Sequence, residues 1–316
     1  MHDRWTTHVT AIQFLRRLRG GSQPILVQAS DGFLYVVKFT DNLQGENVPF
    51  NKWMGNEVFR AFGLPGPEWT AVLVSDEFID RNPQCRIRTK YGTRRPRAGL
   101  CFGSRFLGLS EAPLLEILPG SCFCRIRNSA DFWRAWVLDF LCENADSRQA
   151  LFLEEAGWLY AYFVDHGHLF GGPRGDEYPD FQASSYLDLR VYSNLADLNC
   201  NRINRDLESV HWSDLVRRAE DLPLEWLAGS GPVRFKRFVD RASNASLVRH
   251  LRRALCQFIK KRELRVERAH GHIYAGQNGA MPRAQVCQFP LAGEPRKPVS
   301  NCAGDQGSRR AEALLA

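Results

Sequence analysis

No stretch of this chain approaches the roughly 18 consecutive apolar residues of a membrane-crossing helix, so no membrane partner is expected. The opening segment, MHDRWTTHVTAIQFLRRLRG, lacks an apolar h-region and a small-residue cleavage site, which argues against a secretory leader. Nine cysteines supply no C-x-x-C. Cys122 and Cys124 form a C-x-C, and no second pair or nearby histidine completes zinc spacing. An odd, scattered set, with Cys101, Cys142 and Cys256 inside apolar runs, reads as the reduced thiols of a cytoplasmic protein. The sequence shows no internal repeat and no helix-turn-helix pattern. A formal charge of +7 is drawn partly from an acid-free run between Arg86 and Arg97. That run holds a single aromatic, Tyr91, so it reads as a solvated face, and nucleic acid is not expected as a partner.

What is present is an ordinary globular composition, 44% hydrophobic and 24% charged, over 316 residues, enough for two lobes and a large core. The chain is organised around Trp133 to Gly167. Phe132, Trp133, Trp136, Val137, Phe140 and Leu141 recur at helical spacing, with Asp139 near the end of the helix and Asn144 in the loop beyond. Ala150 to Leu153 and the aromatic run Trp158 to Val164 read as two strands joined by a turn ending at Gly157. Folded as an antiparallel hairpin, they bring Asn144 beside Asp165, with Asp139 just upstream. Two carboxylates and an amide oxygen at a strand end suit Mg²⁺, which takes oxygen ligands and shares them with phosphates. The third group is then left to act on a hydroxyl proton.

Earlier in the chain, Ile25 to Ala29 and Phe33 to Phe39 are strands around Ser30-Asp31-Gly32, a hairpin signal. Lys38 stands inside the second strand, where it must reach solvent or find a partner. Asn51 to Phe62 reads as a helix ended by Gly63 and carrying Glu57, while Thr70 to Val74 and Gly99 to Phe106 are further strands. The remainder reads as mostly helical, over Asp131 to Cys142, Asn204 to Glu220 and Phe235 to about Arg265. The last has an apolar stripe through Leu247, Leu251 and Leu255. Gly171 to Gln182 is a loop, and beyond about Val266 the apolar period ends and a disordered tail is expected.

In order, these residues are Gly20-Gly21-Ser22, Val36-Val37-Lys38, Asn56-Glu57, Phe102-Gly103-Ser104-Arg105, Asp139-x₄-Asn144 and Asp165-His166-Gly167. Together they resemble the HipA-like kinases, a bacterial group with a protein-kinase-like fold. The resemblance spans roughly residues 5 to 265 and implies an α+β, two-lobed fold. Residues 1–107 would form a small sheet-rich N-lobe, 108–265 a larger helical C-lobe, and 266–316 a tail. It implies an ATP- and Mg²⁺-dependent phosphotransferase acting on Ser or Thr of a protein acceptor. Gly20, Gly21 and Ser22 would cover the phosphates, and Lys38 would hold them with Glu57 as its ion partner. Cys101, Phe102 and Gly103 would meet the adenine as a hinge. Asp139 would be the catalytic base, Asn144 and Asp165 would bind Mg²⁺, and Asp146 would be an additional loop acid. Leu138 before Asp139, His166 after Asp165, the missing A-P-E and the missing G-x-G-x-x-G depart from eukaryotic kinases and suit the bacterial group. The alternatives are a nucleotide-binding pseudokinase without turnover, or a toxin-type regulator with a protein partner.

Overall fold

The computed structural model describes residues 8–108, 114–175, 184–192 and 200–243. Contacts divide the protein into residues 1–277 and 278–316, and every described residue lies in the first. The chain mixes strand and helix throughout, as an α+β protein. It begins with strands β1 (His8–Arg17), β2 (Ile25–Ala29) and β3 (Leu34–Lys38). Helix α1 (Val48–Ala61), strand β4 (Trp69–Val74) and helix α2 (Asp76–Arg81) follow. Strands β5 (Ile87–Thr89) and β6 (Gly92–Arg94) pair only with each other, and β7 (Gly99–Arg105) returns to the first group.

The first group closes into a five-stranded barrel in the order β1-β2-β3-β7-β4. The β2–β3 turn forms as its Asp-Gly implies: Gly32 takes φ 84° and Asp31 Oδ1 accepts the Phe33 N–H at 3.1 Å. Alternation along β3 buries Tyr35 and Val37 in the barrel and turns Lys38 to the other face. The interior is filled by Ile25, Val27, Val37, Val72, Val74 and Cys101. The barrel closes where residues His8–Thr10 of β1 run parallel to Ala71–Leu73 of β4.

The rest comprises β8 (Leu114–Leu115), α3 (Ala130–Leu141), β9 (Gln149–Glu155), β10 (Trp158–Val164), α4 (Cys200–Ser209), α5 (Trp212–Glu220) and α6 (Gly231–Ala242). The expected hairpin is β9–β10, in the register Val164↔Gln149 through Trp158↔Glu155. A second core joins α1, α3, this hairpin and α6, through Phe50, Trp133, Trp136, Phe163 and Phe235.

The single helix expected over Asn204 to Glu220 is two. Val210 turns into the core and His211 leaves helical geometry at ψ 80°, breaking α4 from α5. The acid-free run also finds acids outside itself. Arg94 pairs with Asp41, and Arg95 pairs with Asp76 and Asp80 at 2.7 and 2.8 Å. Its other basic residues keep the solvated reading. Cys85, Cys101, Cys122, Cys124 and Cys142 are free thiols. The helical stripe from Leu247, the loop beyond Gly175 and the expected tail lie outside the described residues. Among the described residues, no helix is long and apolar enough to cross a membrane.

Candidate active site

Helix α1 is buried on nearly every side, so its polar residues must answer to something inside. Asn51 Nδ2 donates to the carbonyls of Gly167, Leu169 and Gly172 at 3.1, 2.8 and 3.2 Å. Gly55 lets the helix sit against the same segment: a Cβ there would overlap His166 Cβ and lie 2.7 Å from Leu169 Cδ1. Gly55→Ala is therefore expected to lower stability by about 1–3 kcal/mol through overpacking. Thermal unfolding checks this, and an unchanged midpoint would show that helix and turn do not touch in solution.

This packing brings two lysines to one carboxylate. Lys38, at the end of β3, places Nζ 3.1 and 3.3 Å from the two oxygens of Asp165. Lys52, on α1, donates to Asp165 Oδ1 as well. The three side chains are 11%, 3% and 23% exposed, respectively for Lys38, Lys52 and Asp165. Asp165 follows β10 in the left-handed region, φ 59° and ψ 62°, which Asp tolerates better than most residues. Burial pushes its carboxyl up, but Lys38 and Lys52 outweigh that and hold it well below the usual range. Burial and the neighbouring Lys38 bring Lys52 down to about 7, against the pull of Asp165.

Glu57 does not pair with Lys38, as the sequence implied. Its carboxylate meets Arg60 at 2.8 Å and Arg218 of α5 at 3.2 Å. The reason is helical phase: five residues beyond Lys52, Glu57 points about 140° away around the helix. Lys52 is the α1 residue that faces Lys38. The sequence did carry a signal for it, because Asn51, Lys52, Gly55 and Asn56 share one face of the helix, apart from the Glu57–Arg60 pair.

Asp139 and Asn144 are also placed differently. Asp139 on α3 is 0% exposed, and Arg148 grips it: Nε donates to Oδ2 at 2.8 Å and Nη2 to Oδ1. Asn144, 1% exposed, donates its amide to Asp139 Oδ1 at 2.9 Å and accepts the Asp146 N–H at 3.3 Å. Burial pushes the Asp139 carboxyl up while Arg148 and Asn144 pull it down. Arg148 stays charged, so the two form an ion pair. Both Asp139 carboxylate oxygens and the Asn144 amide oxygen are thus engaged by protein donors. Asp146, half-buried two residues on, binds the Ser147 N–H through Oδ1 at 2.7 Å.

The loop is fixed to the Asp165 segment by main-chain bonds. The Ala145 N–H meets His168 O at 3.0 Å, and the Phe170 N–H meets Cys142 O at 2.6 Å. Since Gln149 pairs with Val164, Asp146 and Asp165 stand at the same end of the hairpin. Arg148 also approaches His166 Nδ1 at 3.2 Å, and His166 packs on Phe59 at 4.3 Å between ring centroids. Burial first, then Arg148 and Lys52, push the His166 imidazole well below its usual range, towards the neutral form.

Gly20, Gly21 and Ser22 form the turn between β1 and β2, closed by a Gln23 N–H to Gly20 O bond of 3.0 Å. A Cβ on Gly21 would lie 3.4 Å from Gln44 Nε2, and that amide is 3.3 Å from His168 Nε2. The glycine turn thus reaches the Asp165 end of the hairpin. Cys101, Phe102 and Gly103 do not form a crossing. They lie in the middle of β7, paired with Val72, Ala71 and Thr70 on one side, while Phe102 and Gly103 pair with Lys38 and Val37 on the other. Phe102 and Gly103, paired on both sides, lie within the sheet and not at a lobe junction that could meet an adenine ring. The chain leaves the barrel after Phe106, whose N–H still bonds Leu34 O at 2.8 Å.

The expected Mg²⁺ ligands are each engaged by protein groups. The Asn144 amide is used within the loop, and Asp165 carries two ammonium groups. Among the described residues, no group of three or more His, Cys, Asp or Glu could hold a metal ion. As placed, Asn144 and Asp165 are turned to protein partners and not to a shared ion, which fits poorly with the metal implied by the resemblance.

No family model matches the chain, and no curated protein matches it. Among solved structures, the Helicobacter pylori proinflammatory kinase CtkA aligns with 79% of this chain and 99% of its own, at 12% identity and a TM-score of 0.47. The Golgi casein kinase aligns with 78% of this chain and 71% of its own, at 13% identity and 0.42. Hydra Fam20 with sugar aligns with 74% and 86%, at 12% identity and 0.41. Likenesses this remote do not decide what the site does.

Proposed function

We propose that the protein is an ATP-dependent phosphotransferase of the HipA-like type, acting on a Ser or Thr hydroxyl of a protein acceptor. The observation that supports this best is the convergence of Lys38 and Lys52 on Asp165 at the end of a hairpin reached by a glycine turn. Residues 1–107 act as the N-lobe and 108–265 as the C-lobe, with the cleft between them receiving ATP. Free thiols suit a reducing, cytoplasmic compartment.

The N–H groups of Gly20 to Ser22 cover the phosphates. Lys38 and Lys52 exchange part of their hold on Asp165 for phosphate oxygens and neutralise the charge that spreads over the transferring group. Asp146 orients the acceptor hydroxyl and takes its proton. The hydroxyl oxygen forms the new bond to the γ-phosphorus, the bond to the bridging oxygen breaks, and ADP leaves with the electron pair. Asp139 and Arg148 hold the loop that aims Asp146.

The test is thermal unfolding with ATP, paired with an assay of ADP release with a mixed protein acceptor. Ligand at 100 times its dissociation constant adds about 2.7 kcal/mol, an upward shift of several degrees. The shift is expected in the native protein and is expected to be lost in Lys38→Met. Absence of both the shift and ADP release would refute the proposal. One observation favours the pseudokinase alternative: the Asp139–Asn144 pair is locked in the interior. ATP binding without transfer, unchanged by Asp146→Asn, would establish it. A toxin-type role would add growth arrest on expression that depends on Lys38.

A further inference from the structure

Lys52 is not needed to neutralise Asp165, because Lys38 already does so from the barrel. Burying a second lysine beside the first is unfavourable for folding alone, since like charges repel and each ammonium loses its water. Yet the fold keeps Lys52 against Asp165. It is 3% exposed, and its Cε and Nζ lie 3.3 and 3.5 Å from where a Cβ on Gly167 would be. The protein therefore sets two lysines against one carboxylate at the end of the β9–β10 hairpin, more basic groups than acid among the described residues in contact there. Such an excess suits an incoming polyanion. It also repels a divalent cation, whose other expected ligand, Asn144, faces into the loop.

We infer that Lys52 is the resident cation of this site, an ammonium built in beside Asp165, so that a nucleoside polyphosphate binds here without a divalent metal. This rests on the phosphate-binding reading of the same site. Lys38 and Lys52 together bridge Asp165 to the phosphate chain, a role that a bound metal commonly fills in phosphotransferases.

The experiment is calorimetric titration of ATP into the full chain, once in EDTA and once in Mg²⁺. Native protein, Lys52→Met and Lys52→Arg are compared, with circular dichroism to confirm folding. Native protein is expected to bind in EDTA to within about threefold of its Kd in Mg²⁺. Lys52→Met is expected to weaken binding in EDTA by about tenfold or more, the loss of a charge-assisted contact, and Lys52→Arg to restore most of it. Binding that requires Mg²⁺ in the native protein would overturn the inference, as would a folded Lys52→Met that binds normally in EDTA. If Lys52→Met fails to fold, the comparison of the native protein in the two buffers still decides. No ATP binding in either buffer would instead remove the phosphotransferase reading beneath it.

Discussion

Arg148→Met is expected to lower stability by about 3–5 kcal/mol, since it leaves the Asp139 carboxylate buried without its counter-ion. In a protein of this size, that is a fall of roughly 10 °C in the unfolding midpoint. The loss extends beyond one ion pair. Arg148 also donates to Val164 O at 2.8 Å and lies over the Phe59 ring at 4.8 Å. The guanidinium thus ties α3, the end of β10 and α1 together, with no solvent to replace it. Adding Asp139→Leu to Arg148→Met removes the orphaned charge and is expected to recover a large part of the loss. Urea unfolding of the two single variants and the double variant measures the coupling. A single-variant loss below about 1 kcal/mol would mean that the buried pair does not form in solution.

The second large effect separates two acids seven residues apart. Asp146→Asn is expected to reduce phosphoryl transfer by about 10²–10⁴-fold while leaving ATP affinity and the unfolding midpoint near native. Asp139→Asn is expected to lower the midpoint instead, because one of the two oxygens held by Arg148 becomes an amide nitrogen with nothing to accept. Its activity should follow the folded fraction. Single-turnover kinetics alongside thermal unfolding reads both. Native turnover in Asp146→Asn would refute the assignment, as would lost turnover with an unchanged midpoint in Asp139→Asn.

Much of the local structure was legible. Asp31-Gly32 signalled its hairpin, Gly63 ended its helix, and the aromatic run from Trp158 paired with the strand before it, as the turn at Gly157 implied. Lys38, inside its strand, and Asp165, at the end of another, were singled out as site residues, and they meet. What sequence could not give was phase and depth. A lysine in a strand and an acid on the next helix suggest a pair, but rotation about α1 decides whether Glu57 or Lys52 faces inward. Asp139 and Asp146 are both acids near Asn144. Only the packing of α3 shows that one is sealed and the other half-open. The resemblance made Cys101 to Gly103 a hinge, whereas they lie within β7, between β4 and β3, inside the barrel.

The way β1 is finished has a consequence for assembly. Only His8–Thr10 form the closing seam, which leaves the outer side of the strand from Ile12 to Arg17 without a partner strand among the described residues. That stretch exposes Ile12 and Leu15, a pattern that invites another chain to add a strand. Its pairing with β2 shifts register between Ala11 and Gln13 and again between Phe14 and Arg16. It ends in Arg16 and Arg17, with Arg17 already bonded to Gln84 O at 2.5 Å. Irregular register and terminal charge both spoil the template that a growing sheet needs. Both features disfavour strand addition at this edge of the barrel that carries Lys38.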